Sequence, residues 1–174
     1  MPSTEQIFDK YKKYKSNYDE VMQIVEEEFP NQPQFQMAVL GHIGRETDGT
    51  FDYKMKQYND GPGRGLFQLE DGKYNNGVDK HFRNYQRWLA KNKLGDSARS
   101  QIQYLKSNLV GSERSYNGAG NSDAIIESIQ SGDPLTIADT LEKKFFRPSK
   151  PAPEKTSDYI DFFKIPLQPA QPAE

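Results

Sequence analysis

The chain has 174 residues, enough for one domain with a real core and for two at most. Its 23 Lys+Arg nearly balance 25 Asp+Glu, which excludes a broad basic field for nucleic acid, and the lack of cysteine excludes disulfide and thiolate chemistry. Only 34% of residues are apolar and no apolar run approaches the ~18–20 residues of a membrane helix, so no membrane insertion is expected; an aromatic share of 12% argues against a wholly disordered chain.

The N-terminus, Met1-Pro2-Ser3-Thr4-Glu5, has neither the basic nor the apolar region of a signal peptide. Ser3 and Gln6 have capping-box spacing, and Ile7, Tyr11 and Tyr14 recur at helical steps, predicting a first helix to about Lys15. Asn17 or Asp19 starts a second, carrying Val21, Ile24, Val25 and Phe29 and ending before Pro30. Asn31 is the expected cap of a third helix over Gln34–Glu46, with Pro33 in its first turn. From Thr47 to Lys73 glycines punctuate short pieces such as Phe51-Asp52-Tyr53 and Leu66-Phe67-Gln68-Leu69, which reads as a loop and a small hairpin. Helical patterns return at Val78–Asn92, at Ser97–Leu109 behind an Asp96 cap, at Ser122–Gln130, at Pro134–Phe146 and at Ser157–Phe163. Six of the eleven prolines follow Arg147, so Pro166–Glu174 reads as an extended tail or linker.

The third helix, Phe35-Gln36-Met37-Ala38-Val39-Leu40-Gly41-His42-Ile43-Gly44-Arg45-Glu46, is apolar nearly all round and should be central and buried. Val39, Ile43 and Glu46 share one stripe, so Glu46 continues an apolar face at the helix C-terminus. Burial and the negative end of the helix dipole both disfavour its charged form. A carboxyl that stays protonated near neutral pH is a general acid for a glycosidic oxygen. The competing reading is a helix-end residue paired with Arg45 or Lys54. Gly41 and Gly44 each cost about 1 kcal/mol in a helix, and close packing of another backbone would account for them.

Gly41-His42-Ile43-Gly44-Arg45-Glu46-Thr47 followed by Gly63-Arg64-Gly65-Leu66-Phe67-Gln68-Leu69 resembles the lysozyme superfamily, in which a helix ends in Glu-Ser and a Gly-Leu-Met-Gln-like stretch follows in a small β element. Goose-type lysozymes and lytic transglycosylases have this pattern, and the phage tail lysozyme family is the closer resemblance. That family also has a Tyr-Leu-bearing helix and a Phe-x-x-Pro-like stretch, matched in order by Tyr104-Leu105 and Phe145-Phe146-Arg147-Pro148. The resemblance covers about residues 32 to 163. Ser115-Tyr116-Asn117-Gly118-Ala119-Gly120 is similar to the Ala-Tyr-Asn-Ala-Gly segment of lytic transglycosylases, where the Tyr lines the active site; it reads equally as a glycine-rich turn between helices.

The resemblance implies cleavage of peptidoglycan between N-acetylmuramic acid and N-acetylglucosamine, with Glu46 as general acid and no cofactor. Gln68 would line the cleft, binding sugar or orienting a water, and Tyr116, Asp48 and Tyr58 complete the expected substrate-binding set. A hydrolase usually needs a second carboxylate. Asp48, Asp52, Asp60, Glu70 and Asp71 all lie near in sequence, and Asp60 is the first choice because a hairpin would turn it toward the helix end; Asp48 is the second. Each also reads as ordinary turn chemistry. Without such a partner, a transglycosylase path remains, in which the substrate's own hydroxyl closes an anhydro ring.

Other chemistries find less support. His42 and His81 are the only two histidines and lack a His-Glu-x-x-His pattern, so no metal site is expected. No Ser occupies a Gly-x-Ser-x-Gly elbow. Gly61-Pro62-Gly63-Arg64-Gly65 lacks the Lys-Ser/Thr ending of a phosphate loop, and Pro62 removes an amide donor. Phe82, Tyr85 and Trp88 form either a sugar platform or, at helical spacing, core.

The expected fold is therefore mainly α (α+β), lysozyme-like, with one small β-hairpin after the central helix. Residues 1–30 are expected to form a helical segment packed on a catalytic domain of residues 31–165, followed by a Pro-rich tail, 166–174. The expected partners are the peptidoglycan glycan strand and other phage tail proteins, with no nucleic acid. The expected setting is a phage virion, in its tail, or the host cytoplasm before release. A non-catalytic glycan-binding or structural virion protein is the reading from another class.

Overall fold

The computed structural model describes residues 4–56, 63–70, 81–146 and 153–164. Their regular elements are helical: α1 (Thr4–Lys13), α2 (Lys15–Glu28), α3 (Pro33–Glu46), α4 (His81–Asn92), α5 (Ala98–Val110), the short α6 (Arg114–Asn117), α7 (Ala119–Ile129), α8 (Pro134–Leu141) and α9 (Pro153–Lys164). A π-helical turn, Glu142–Phe146, continues α8.

The all-round apolar sequence of α3 places it at the centre, with Phe35 and every residue from Ala38 to Gly44 buried. It packs most extensively on α9, then on α8 and α2. The α3–α9 contact explains the two helix glycines. A Cβ on Gly41 would lie 2.6 Å from Ile160 Cγ1 and 3.2 Å from the Thr156 carbonyl. A Cβ on Gly44 would fall within the ring of Tyr159, touching its Cγ, Cδ1 and Cε1. What approaches is chiefly side chain, with a single backbone carbonyl.

Several helix starts differ from the expected ones for local reasons. Ser97, not Asp96, caps α5, its hydroxyl accepting from the Ser100 amide at 3.0 Å. Asp96 instead accepts from Tyr85 Oη at 2.6 Å and from Gln101 Nε2 at 3.0 Å. Asn31 takes a left-handed φ of 61° in the preceding turn, and α3 starts at Pro33 without a side-chain cap. The Asp133-Pro134 start of α8 is as expected, the Asp133 carboxylate accepting from the Leu135 and Thr136 amides. Ser3 and the tail 166–174 lie outside the described residues.

The expected β-hairpin is not a pair of strands. Among the described residues there is no strand, only isolated antiparallel bridges between Lys56 and Arg64 and between Arg64 and Leu69. Arg64 and Leu69 exchange both backbone hydrogen bonds, at 3.1 and 2.8 Å, closing a tight turn. Gly65 (φ 78°) and Gln68 (φ 49°) are left-handed within it. Leu66 and Phe67, adjacent in sequence, are both buried, unlike neighbours on a hairpin with one solvated face. Core burial thus curls this segment inward. Tyr85 and Trp88 are buried against Tyr104, so these rings are core rather than a sugar platform.

Candidate active site

The chain reverses sharply after Glu46. The Gly49 amide donates to the Gly44 carbonyl (2.8 Å) and the Asp48 amide to that of Arg45 (3.3 Å), the two crossed bonds of a Schellman motif. The left-handed position that usually takes glycine is held by Asp48, φ 49°. Thr47 is fully buried; its hydroxyl donates to the Ile43 carbonyl at 2.7 Å and accepts from the Phe51 amide at 3.0 Å.

The N-terminal helices grip this turn. Lys10 Nζ donates to the Asp48 carbonyl (2.5 Å), Tyr18 Oη to that of Gly49 (2.8 Å) and Asn17 Nδ2 to that of Thr50 (3.1 Å). Phe51 stacks on Tyr18, ring centroids 3.9 Å apart. Three consecutive carbonyls are therefore held by α1 and α2, which fixes where α3 ends and where Glu46 sits.

The Glu46 side chain is 18% exposed and lies 3.3 Å from Arg45 Nη2. Burial pushes its pKa up to about 7; Arg45 acts against that rise, while the negative charges of Glu142 and Glu70 add to it. The sequence offered two readings of Glu46, a desolvated acid or a partner of Arg45, and both features coexist because Arg45 is shared. Arg45 Nη1 bonds the Glu142 carboxylate at 2.6 Å, and these two side chains are 8% and 6% exposed. Thr156 Oγ1 of α9 approaches the same Nη1 at 3.5 Å.

The other expected site residues are placed as follows. Asp48 is half exposed and ion-paired to Lys10 at 3.1 Å, so its first role is to end α3. Gln68 directs both donors inward, Nε2 bonding the carbonyls of Gly65 (2.8 Å) and Met55 (3.2 Å), which ties its turn to the segment after Glu46. Tyr116 is exposed on α6 with the Arg87 guanidinium 3.9 Å from its ring centre; α6 packs on α5 and α7, forming the turn between helices that was one of its two readings. Asp60 and Tyr58 lie outside the described residues. Among the described acidic residues considered as a second carboxylate, Glu70 adds its charge to Glu46, and burial raises its own pKa; Asp71 lies outside the described residues.

Gln101 was not anticipated. Its Oε1 accepts from the Leu66 amide (2.7 Å), and its Nε2 donates to the Tyr53 carbonyl (2.9 Å) and to Asp96. One buried amide of α5 thus pins both limbs of the loop beyond Glu46. Replacing Gln101 by leucine should cost about 2–3 kcal/mol by leaving buried partners unmet. Urea unfolding would read the loss, and faster hydrogen exchange at the Leu66 amide would locate it; unchanged exchange there would remove this role.

His42 is fully buried one turn before Glu46. Its Nε2 donates to the Ala138 carbonyl at 2.8 Å, and its ring packs on Phe146. Burial is the main force lowering its pKa, to about 3. The unfolded ring takes its proton near pH 6.5 and the folded ring only near 3, so this residue's stabilisation is full above 6.5 and lost as pH falls through that window. Glu46 acts oppositely: the folded carboxyl holds its proton up to about pH 7 and the unfolded one to about 4.5, so stability falls as pH rises between them. In Glu46→Gln the opposing Glu46 slope is removed, so the His42 slope, up to about 1.4 kcal/mol lost per pH unit on acidification from 6.5 to 4.5, is set against that of Glu70 and no longer against Glu46 as well. Urea midpoints across that range should fall more steeply in the variant than in the wild type; parallel slopes would contradict this assignment.

Among the described residues no group of three or more His, Asp or Glu is arranged to hold a metal ion, and no helix is long and apolar enough to cross a membrane. A groove of about 570 Å³ lies at the α2–α3 turn, between Glu26, Glu27 and Pro33. It is at the far end of α3 from Glu46, about 20 Å away by helix rise, and so is not part of this site. No family model, curated protein or solved structure matches the chain.

Proposed function

We propose that this protein cleaves the glycan strands of peptidoglycan between N-acetylmuramic acid and N-acetylglucosamine, with Glu46 as general acid. The observation that carries the proposal is the Glu46 carboxyl, held away from water at the end of a buried helix with its pKa raised to about 7. A fixed, protonated carboxyl at neutral pH is what departure of a glycosidic oxygen requires. The ordered motifs around it, Glu46-Thr47, Gly65-Leu66-Phe67-Gln68 and Tyr104-Leu105, resemble those of the phage tail lysozyme family and suggest the substrate. A phage virion, acting during wall penetration or lysis, is the setting that follows from the same resemblance.

In the chemical step Glu46 gives its proton to the bridging oxygen as the sugar ring gains oxocarbenium character. Two completions are open to the intermediate. In a hydrolase a second carboxylate activates water or captures the sugar, and Glu70 joins Asp60 as the candidate. In a lytic transglycosylase Glu46, now a carboxylate, takes the proton of the muramic acid hydroxyl that closes an anhydro ring. Asp48 is paired to Lys10 and Glu142 to Arg45, so neither is offered for the first completion, and the digest products decide between the two paths.

The test is digestion of purified peptidoglycan, followed by turbidity and by mass spectrometry of the products. Muropeptides with intact stems are expected, and reducing or anhydro ends assign the path. Cut stems on long glycans would mean a peptidase, and binding without release would mean a glycan-binding module.

A further inference from the structure

We propose that Glu142 is a positioning residue for Glu46: by binding the Arg45 guanidinium, it leaves the Glu46 carboxyl as the member of the trio that carries the proton. The inference rests on the reading of Glu46 as a general acid, and it goes beyond that reading by naming what occupies the neighbouring cation, so that burial can keep the acid protonated.

The geometry is a buried cation offered to two carboxyl groups. Arg45 and Glu46 are neighbours on α3, whereas Glu142 enters from the π-helical turn after α8, 97 residues from Arg45. The guanidinium is 2.6 Å from Glu142 and 3.3 Å from Glu46. One guanidinium balances one carboxylate. With Glu142 as that carboxylate, ionising Glu46 would set a second carboxylate against the same guanidinium, among groups that are 8%, 6% and 18% exposed. Loss of the Glu46 proton is thereby opposed even though an arginine lies beside it, which resolves the conflict between an adjacent cation and a raised pKa. Glu142 opens the π-helical turn directly after Leu141 of α8. The turn is locked by Phe145 and Phe146, whose rings pack on Phe67, His81 and His42.

Other described groups flank the trio. From α9, Thr156 offers a hydroxyl to Arg45 and Tyr159 lays its ring against Gly44. From α2, Tyr18 is bound to the Gly49 carbonyl. On α3, burial keeps His42 neutral over the pH range of interest. From the loop, Glu70 adds negative charge in the same sense as Glu142.

The experiment is carbon-13 NMR titration of the Glu46 side-chain carboxyl in the full chain, assigned by its loss in Glu46→Gln. In Glu142→Gln the guanidinium is left to Glu46 alone, and the Glu46 midpoint should fall by about one pH unit or more. In Arg45→Gln it should rise. In Glu142→Asp, a retreat of one methylene, the fall should be smaller. Opposite displacements in Glu142→Gln and Arg45→Gln are the signature, because loosening of the fold would move both midpoints the same way, toward that of an exposed carboxyl. Should Glu142→Gln fail to fold, Glu142→Asp and Arg45→Gln still give the two directions. A midpoint unmoved or raised in Glu142→Gln, or in Glu142→Asp where that variant stands in, overturns the proposal.

Peptidoglycan digestion with the same variants keeps the two readings apart. The basic limb of the pH–rate profile should follow the Glu46 midpoint downward in Glu142→Gln. Opposite midpoint displacements in a wild type that cleaves nothing would leave the Glu142 role standing and remove the glycosidase. Cleavage by the wild type with an unmoved midpoint would do the reverse.

Discussion

Glu46→Gln is expected to lower peptidoglycan cleavage by about 10²–10⁴-fold, the contribution of a positioned general acid. The amide keeps the size of the carboxyl and cannot donate a proton of comparable acidity. The same change should make the protein more stable, not less. Burial holds the folded carboxyl protonated to about pH 7 against 4.5 for the unfolded chain, so at pH 8 the native state carries a buried charge that costs on the order of 3 kcal/mol. Glutamine removes that charge, and thermal unfolding at pH 8 should shift upward while at pH 4 it should hardly change. A variant that is inactive and hyperstable at alkaline pH is the signature of a residue kept for chemistry. Undiminished turbidity clearance by Glu46→Gln would remove the assignment of Glu46 as the acid. Loss of activity with unfolding would show Glu46 to be structural instead.

A pH-independent loss of stability should come from Gly44→Ala. Alanine favours a helix over glycine by about 1 kcal/mol, so on propensity alone the change would stabilise α3. The added methyl group, however, would occupy the space of the Tyr159 ring, which is fully buried and hemmed in by the rest of the core. Overpacking of this kind costs about 1–3 kcal/mol and more where the neighbour is rigid. A net loss of about 2 kcal/mol, or about 4–8 °C in melting temperature for a chain of this length, is expected. Gly41→Ala meets the flexible end of Ile160 and should cost less. Tyr159→Leu in the Gly44→Ala background should recover stability relative to the sum of the two single changes, a coupling read by a double-mutant cycle. A Gly44→Ala protein as stable as the wild type would mean that α9 does not press on α3 as described.

Much of the helical frame was legible in the sequence because the signals were local. The apolar run from Phe35 to Gly44 and the Asp133-Pro134 start need no distant information, and Val39, Ile43 and Glu46 share a stripe by helix geometry alone. The hairpin was misread because glycines and a short apolar run look alike whether the run lies flat in a strand or curls into the core; burial of both Leu66 and Phe67 decides, and that depends on α4, α5 and the π-helical turn. Asp96 and Ser97 are both good caps, and the choice fell to Ser97 because Tyr85 and Gln101 had claimed Asp96. Glu142 was invisible for a similar reason. In Leu141-Glu142-Lys143-Lys144 it reads as a solvated charge, and only the fold brings it to Arg45. Gln101 carried no sequence signal either, since its partners at Leu66 and Tyr53 are far away in the chain.

The grip of Lys10, Asn17 and Tyr18 on the carbonyls of Asp48, Gly49 and Thr50 bears on how far the protein could be trimmed. A shortened version starting near Pro33 would retain the acid, its arginine and Glu142, and on a diagram would look complete. Its reversal after Glu46 would nevertheless have lost its three tethers, and Phe51 the ring it rests on. The first two helices are scaffolding for a bend they do not contain, so an engineered minimal version would have to keep them or rebuild that support from the other side.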